Sequence, residues 1–129
     1  MSNAVERPSV LIVDDHDPQR EYMVATVRKF GFWVLQTDNL PGASDFIDTN
    51  RDLFGIVLDG CVPGAIPNTI PLIKRTLSLE LPSLRAIIAV SNEAKHRKTM
   101  HAAGCTHETP KNRVASLLHE IRQTEITSS

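Results

Sequence analysis

Four groups of polar residues follow apolar runs in this chain. Asp14-Asp15-His16-Asp17 comes directly after Val10–Val13, Asp59 after Gly55–Leu58, Ser91-Asn92 after Ala86–Val90, and Lys111 shortly after a weaker run at His107–Thr109. If these runs are neighbouring strands, Asp14, Asp15 and Asp59 converge at one edge. Carboxylates gathered in that way repel one another and lose hydration, so they need a cation, and an all-oxygen donor set suits Mg²⁺. A carboxylate is also a nucleophile, a hydroxyl such as that of Ser91 can donate to an anionic group, and the Lys111 ammonium can offset developing negative charge. Taken singly, each has a plainer reading. Asp14-Asp15 could be a helix cap and a solvated turn residue, Ser91 could satisfy backbone groups at the start of the next helix, and Lys111 could be an ordinary solvated lysine. The five histidines, His16, His96, His101, His107 and His119, show no metal-ligand spacing; His96 and His101 stand five apart, off the step that shares a helix face. Cys61 and Cys105 are too few and too far apart for a disulfide framework or a four-thiolate zinc site, and read as structural thiols.

The elements that must position these groups alternate. Short runs rich in Val, Ile and Leu are separated by longer amphipathic stretches, the pattern of βα units around a parallel sheet. Trp33–Gln36 is a fifth strand candidate. Ile56-Val57-Leu58 and Ala86–Val90 lack polar alternation, as expected of central strands covered on both faces. Asp17-Pro18 supplies a cap and first-turn proline for a first helix that ends at Gly31, with Met23, Val27 and Phe30 on one face. A short second helix spans Pro41–Thr49 with Ala43, Phe46 and Ile47 inward. Pro63, Pro67 and Pro71 delay a third until about Asn68. The fourth, Glu93–Ala103, has a thin apolar face of Ala94, Met100 and Ala103 under Lys95-His96-Arg97-Lys98 and is weakly anchored. Behind an Asn112 cap, Val114, Leu117, Leu118 and Ile121 mark the fifth at helical spacing.

Length and composition fit a single α/β domain, which we place at residues 5–126. The chain has 129 residues, 41% of them hydrophobic and 22% charged, enough for a buried core and for one domain. Fourteen Lys and Arg against fifteen Asp and Glu leave a net charge of −1, which argues against binding nucleic acid or an anionic membrane through bulk charge. No apolar run approaches the roughly 20 residues that span a bilayer, and no secretory signal segment opens the chain, so a cytoplasmic location is expected.

Val-Leu-Ile-Val-Asp14-Asp15, Ile-Val-Leu-Asp59 followed by Pro63-Gly64, Ile-Ile-Ala-Val-Ser91, Ala103-Gly104 and Lys111 together resemble the receiver domain of two-component response regulators. The intervals are 44 residues from Asp15 to Asp59, 13 from Ser91 to Gly104 and 7 from Gly104 to Lys111. With the Asp-Asp-His triplet, they look most like receivers that precede a helix-turn-helix output domain. The resemblance implies a flavodoxin-like (βα)₅ fold, a doubly wound parallel sheet with strand order 2-1-3-4-5. It implies that Asp59 accepts a phosphoryl group from a histidine kinase or phosphotransfer protein. Asp15, Asp59 and the carbonyl of Cys61 would ligate Mg²⁺, with Asp14 acting through water; Lys111 and Ser91 would contact the phosphoryl oxygens. The domain would be a self-modifying switch rather than a turnover enzyme, and could pair with a second copy through helix 4, strand 5 and helix 5.

The chain also departs from that pattern. Glu108 stands where the family usually has Tyr or Phe, Pro110 precedes the lysine where a proline often follows it, and Pro67-Asn68 replaces a common Asp-Gly. An ionised Glu108 cannot bury as a ring would, so it is expected at the surface beside Lys95–Lys98, in a pair contributing about 0–1 kcal/mol. Two rival readings follow. Asp15-His16-Asp17 imitates the opening of haloacid-dehalogenase-type phosphatases, although the chain is short for that fold and Gln19 replaces the expected Thr or Val. A phosphorylation-independent interaction module would fit Glu108 but leaves three close carboxylates without a use.

Overall fold

The computed structural model describes residues 7–60 and 68–128. In chain order the strands are β1 (Ser9–Val13), β2 (Trp33–Thr37), β3 (Leu53–Asp59), β4 (Ala86–Val90) and β5 (His107–Thr109). The helices are α1 (Asp17–Lys29), α2 (Leu40–Thr49), α3 (Ile70–Ser78), α4 (Ala94–Ala102) and α5 (Val114–Ser128). All strand pairs are parallel and the order is β2-β1-β3-β4-β5, the doubly wound arrangement expected. No helix among the described residues is long and apolar enough to cross a membrane.

The central strands separate two apolar layers. Leu11 and Val13 of β1 join Ile56, Leu58, Ile87 and Ala89 under α2, α3 and α4, where Ala43, Ile47, Leu72, Ile73 and Met100 close the layer. Val10 and Ile12 face the other way, with Val57, Ile88 and Val90, onto Met23, Val24 and Val27 of α1 and Val114, Ala115 and Leu118 of α5. The period-2 geometry of a strand divides each run between the two layers, which is why these runs show no polar alternation.

Several element ends differ from expectation. Helix α1 is capped by His16, not Asp17: the His16 Nδ1 accepts from the Gln19 N–H at 3.3 Å, and Asp17 is the first helical residue. Helix α3 begins at Ile70, two residues later than Asn68, and Pro71 occupies its first turn, where a missing N–H costs nothing. Asn112 is no cap. It lies inside a 3₁₀ turn, Lys111–Arg113, that follows Pro110 and runs into α5. Pro63, Gly64 and Pro67 lie outside the described residues. Gly31 and Gly104 end α1 and α4 with φ of 91° and 128°, values open to glycine.

Candidate functional site

Parallel pairing brings the C-terminal ends of four strands to one edge. Val13 lies opposite Leu58, Asp59 opposite Val90, and Val90 opposite Thr109. The residues immediately beyond are Asp14, Ser91 and Pro110-Lys111, so the register gathers the sequence-predicted groups beside Asp59.

The acidic turn after β1 is held in shape before any ligand arrives. Asp14 is fully buried, and its Oδ1 accepts the His16 N–H at 3.0 Å. Arg20, one turn into α1, reaches back to donate Nη1 to the Asp14 carbonyl at 3.0 Å and to Asp17 Oδ1 at 2.6 Å, while its Nε donates to Gln36 Oε1 on β2 at 2.9 Å. One guanidinium thus ties β1, β2 and α1 together around the turn, a use that suits its planar fork. One oxygen each from Asp14, Asp15 and Asp59 lie within 4.8 Å of one another.

Lys111 is the counter-charge. Its Nζ lies 2.7 Å from Asp14 Oδ2 and 3.8 Å from Asp59 Oδ2, and it also donates to Gln19 Oε1 on α1. At 9% exposure it is a buried lysine, so the solvated-surface reading does not describe it. Asp59 has a carboxyl pKa pushed up to about 6, chiefly by burial. The Lys111 ammonium and the Gly60 N–H, which donates to Asp59 Oδ1 at 2.9 Å, oppose that rise, and the Asp14 and Asp15 carboxylates add to it. A group whose charge burial and like neighbours disfavour is one that an added cation would stabilise. The donor set is all oxygen and clustered, so Asp14, Asp15 and Asp59 fit a hard divalent ion such as Mg²⁺. Cys61, whose carbonyl was expected to join them, lies outside the described residues.

Ser91 follows the β4 residue that faces Asp59 and is only 6% exposed. Its Oγ accepts the Glu93 N–H at 3.1 Å. The backbone-satisfying reading of this serine is therefore present in the geometry, and its O–H remains a donor. Glu108 is exposed, as expected of a carboxylate at that position, and its Oε1 lies 3.9 Å from Arg97 Nε within the Lys95–Lys98 segment. Helix α4 rests on the site through Gly60: a Cβ there would come within 2.9 Å of Met100 Sδ.

Sequence reasoning missed three supporting residues. Gln19 and Arg20 sit one turn after the acidic cluster, and the i,i+3 spacing of Asp17 and Arg20 was a legible sign of the ion pair they make. Arg97 belongs to the segment expected beside Glu108, but its bond to the Ser91 carbonyl had no sign in the local sequence. Gln19 and Lys111 also line, with Pro18, Tyr22, Asn92 and Asn112, a cleft of about 280 Å³ beside the site. Cys105 lies away from this chemistry as a core residue at 3% exposure, its thiol pushed up to about 12 by burial and so kept protonated.

No protein-family model and no curated protein matches this chain. Solved structures do. The response regulator receiver domain (CheY-like) from Methylobacillus flagellatus superposes with a TM-score of 0.76 at 18% identity, covering 92% of this chain and 98% of that one. A response regulator signal receiver domain from Bermanella marisrubri gives 0.74 at 15% identity, over 90% and 98% of the two chains. A response regulator protein from Burkholderia pseudomallei, solved with a phosphorylated aspartic acid, a calcium ion and citrate, gives 0.69 at 15% identity over 95% and 73%. At these identities the likeness shows the fold, which is that of receiver domains.

Proposed function

We propose that this chain is a phosphoacceptor receiver: Asp59 takes a phosphoryl group from a phosphohistidine on a histidine kinase or phosphotransfer protein. The observation that carries the reading is the Asp14–Asp15–Asp59 cluster, with Asp14 fully buried and Lys111 reaching both Asp14 and Asp59. A structural ion pair needs one carboxylate per lysine, whereas three acidic groups at the open edge of a parallel sheet suit a site for a cation and an anionic group together.

In the transfer an Asp59 carboxylate oxygen attacks phosphorus, the phosphorus–nitrogen bond breaks, and the freed imidazole takes up a proton. Asp59 is ionised at neutral pH despite its raised pKa, so it needs no general base. Lys111 supplies an ammonium fixed by Asp14 and Gln19, positioned before reaction rather than recruited during it. The Ser91 O–H would donate to a phosphoryl oxygen once Asp59 is modified. Asp15, Asp59 and the Cys61 carbonyl, with Asp14 acting through water, would hold Mg²⁺, which would offset charge on the transferring group. The domain catalyses its own modification, and its output is a changed surface.

The Burkholderia structure with its phosphorylated aspartic acid and calcium ion is the neighbour that supports this chemistry most directly. The Asp-Asp-His triplet and the motif spacings favour a receiver of the helix-turn-helix output type, and α4, β5 and α5 form the face through which it would pair with a second copy. Incubation with Mg²⁺ and acetyl phosphate should place one acid-labile phosphoryl group on Asp59, read by intact mass and absent from Asp59→Asn. A label that survives acid or persists in that variant overturns the assignment. No label on folded protein would favour an interaction module that keeps the fold without the chemistry.

A further inference from the structure

The ladder between β4 and β5 joins residues nineteen apart: Ile88 faces His107 and Val90 faces Thr109. Just before it, the Thr106 N–H donates to the Ile87 carbonyl at 2.9 Å, and a parallel ladder repeats such bonds every second residue. Continued to the site, it would bring the N–H of residue 110 to the Ser91 carbonyl. Residue 110 is proline and has no N–H to give. The donor comes from Arg97 instead, whose Nη1 meets the Ser91 carbonyl oxygen at 2.6 Å. The same guanidinium presents Nε to the Glu108 carboxylate, and its side chain is only 17% exposed.

A ladder bond is fixed by the sheet, but a side-chain bond can be exchanged without unzipping a strand. Arg97 rides on α4, whose one buried residue is Met100. Its two partners differ in kind. Ser91 borders the phosphoacceptor site, whereas Glu108 is exposed on β5. Ser91 Oγ also accepts the Glu93 N–H, so this residue is held at both its hydroxyl and its carbonyl.

We infer that Arg97 is a positioning residue that holds Ser91 by its carbonyl and transfers to Glu108 when Ser91 is drawn toward a phosphoryl group on Asp59. The state of the site is thereby reported as charge pairing on the α4–β5 face. This rests on the phosphoacceptor reading and names the device by which that site reaches the surface.

The test is NMR of the full chain, with Arg Nε and Glu carboxyl groups observed, titrated with beryllofluoride plus Mg²⁺ as phosphoryl mimic. In the wild type, the Ser91 amide, the Arg97 Nε and the Glu108 carboxyl should shift together along one saturation curve. In Arg97→Ala the Ser91 amide should still respond while Glu108 falls silent, and Arg97→Lys should restore a Glu108 response. In Glu108→Gln, which leaves the Ser91 contact intact, the Arg97 Nε shift should shrink at least twofold. A wild-type Glu108 that stays silent while Ser91 reports binding overturns the relay alone. So does a Glu108 response that persists in Arg97→Ala, or an Arg97 shift unchanged in Glu108→Gln. Folded wild type that binds no mimic overturns the phosphoacceptor reading and the relay with it, and is recognised by a silent Ser91.

Discussion

At the scale of single residues, Asp59 is held in the fold at a cost in stability. Its carboxyl titrates near 3.8 when solvated and near 6 in the fold, with its side chain 13% exposed. Between those pH values the folded chain holds a proton that the unfolded chain has released. Stability therefore falls as pH rises through this window, and the whole penalty is present above about pH 6. It amounts to roughly 3 kcal/mol. Asp59→Asn should remove it. In Mg²⁺-free urea denaturation the variant is expected to exceed the wild type by about 3 kcal/mol at pH 7.5, with the gap shrinking to about 1 kcal/mol near pH 4.5. A gap independent of pH would show that Asp59 carries no such penalty. Lys111 works in the opposite sense, since without it the fully buried Asp14 carboxylate would lose its ion-pair partner.

At the scale of elements, α4 is the most thinly anchored helix among the described residues. It buries Met100 alone among its nine residues, whereas β1 and β4 bury nearly every side chain. Its C-terminal end is pinned by shape rather than by area. Gly104 has φ of 128°, and a Cβ there would overlap Leu77 Cδ1 of α3. Gly104→Ala should lower stability by about 1–3 kcal/mol, through backbone strain and that overlap. For a chain of this length that is a fall in Tm of roughly 4–11 °C, measurable by circular dichroism. Native-state hydrogen exchange should show the loss concentrated in α4; a fall spread evenly over the sheet would mean that α4 is not separately anchored. The fourth-helix face read from Ala94, Met100 and Ala103 is narrower in the structure, because Ala94 is exposed and Ala103 only partly buried.

At the scale of the whole molecule, the acidic edge and the fold are thermodynamically linked. A cation that binds the folded carboxylate cluster stabilises the native state by mass action, about 1.4 kcal/mol at ten times its dissociation constant. That corresponds to a Tm rise of roughly 5 °C for this chain size. Mg²⁺ should produce such a rise at pH 7.5. It should produce a smaller one at pH 5, where protons compete for Asp59, and almost none in Asp15→Ala, which removes an anionic ligand while leaving the Lys111 contacts in place. An undiminished rise in Asp15→Ala would move the metal site elsewhere.

The sequence by itself determined the sheet and the edge at which chemistry can occur. Short β-branched runs without alternation, separated by amphipathic stretches, read as strands covered on both faces, and a parallel order places whatever follows them at one edge, so Asp14, Asp59, Ser91 and Lys111 were legible as one group. Local competition blurred the ends of elements. His16 won the cap of α1 from Asp17 because its ring nitrogen reaches the Gln19 N–H, and the 3₁₀ turn at Lys111–Arg113 displaced Asn112 from capping α5. Only the tertiary structure decided how the group is wired. Gln19, Arg20 and Arg97 act through partners 92, 16 and 11 residues away, and such contacts depend on strand register rather than on any local pattern. Pro110 is a departure near the lysine already in the sequence, but the donor that it withholds from Ser91 becomes visible only when β4 and β5 lie side by side, with Arg97 reaching between them.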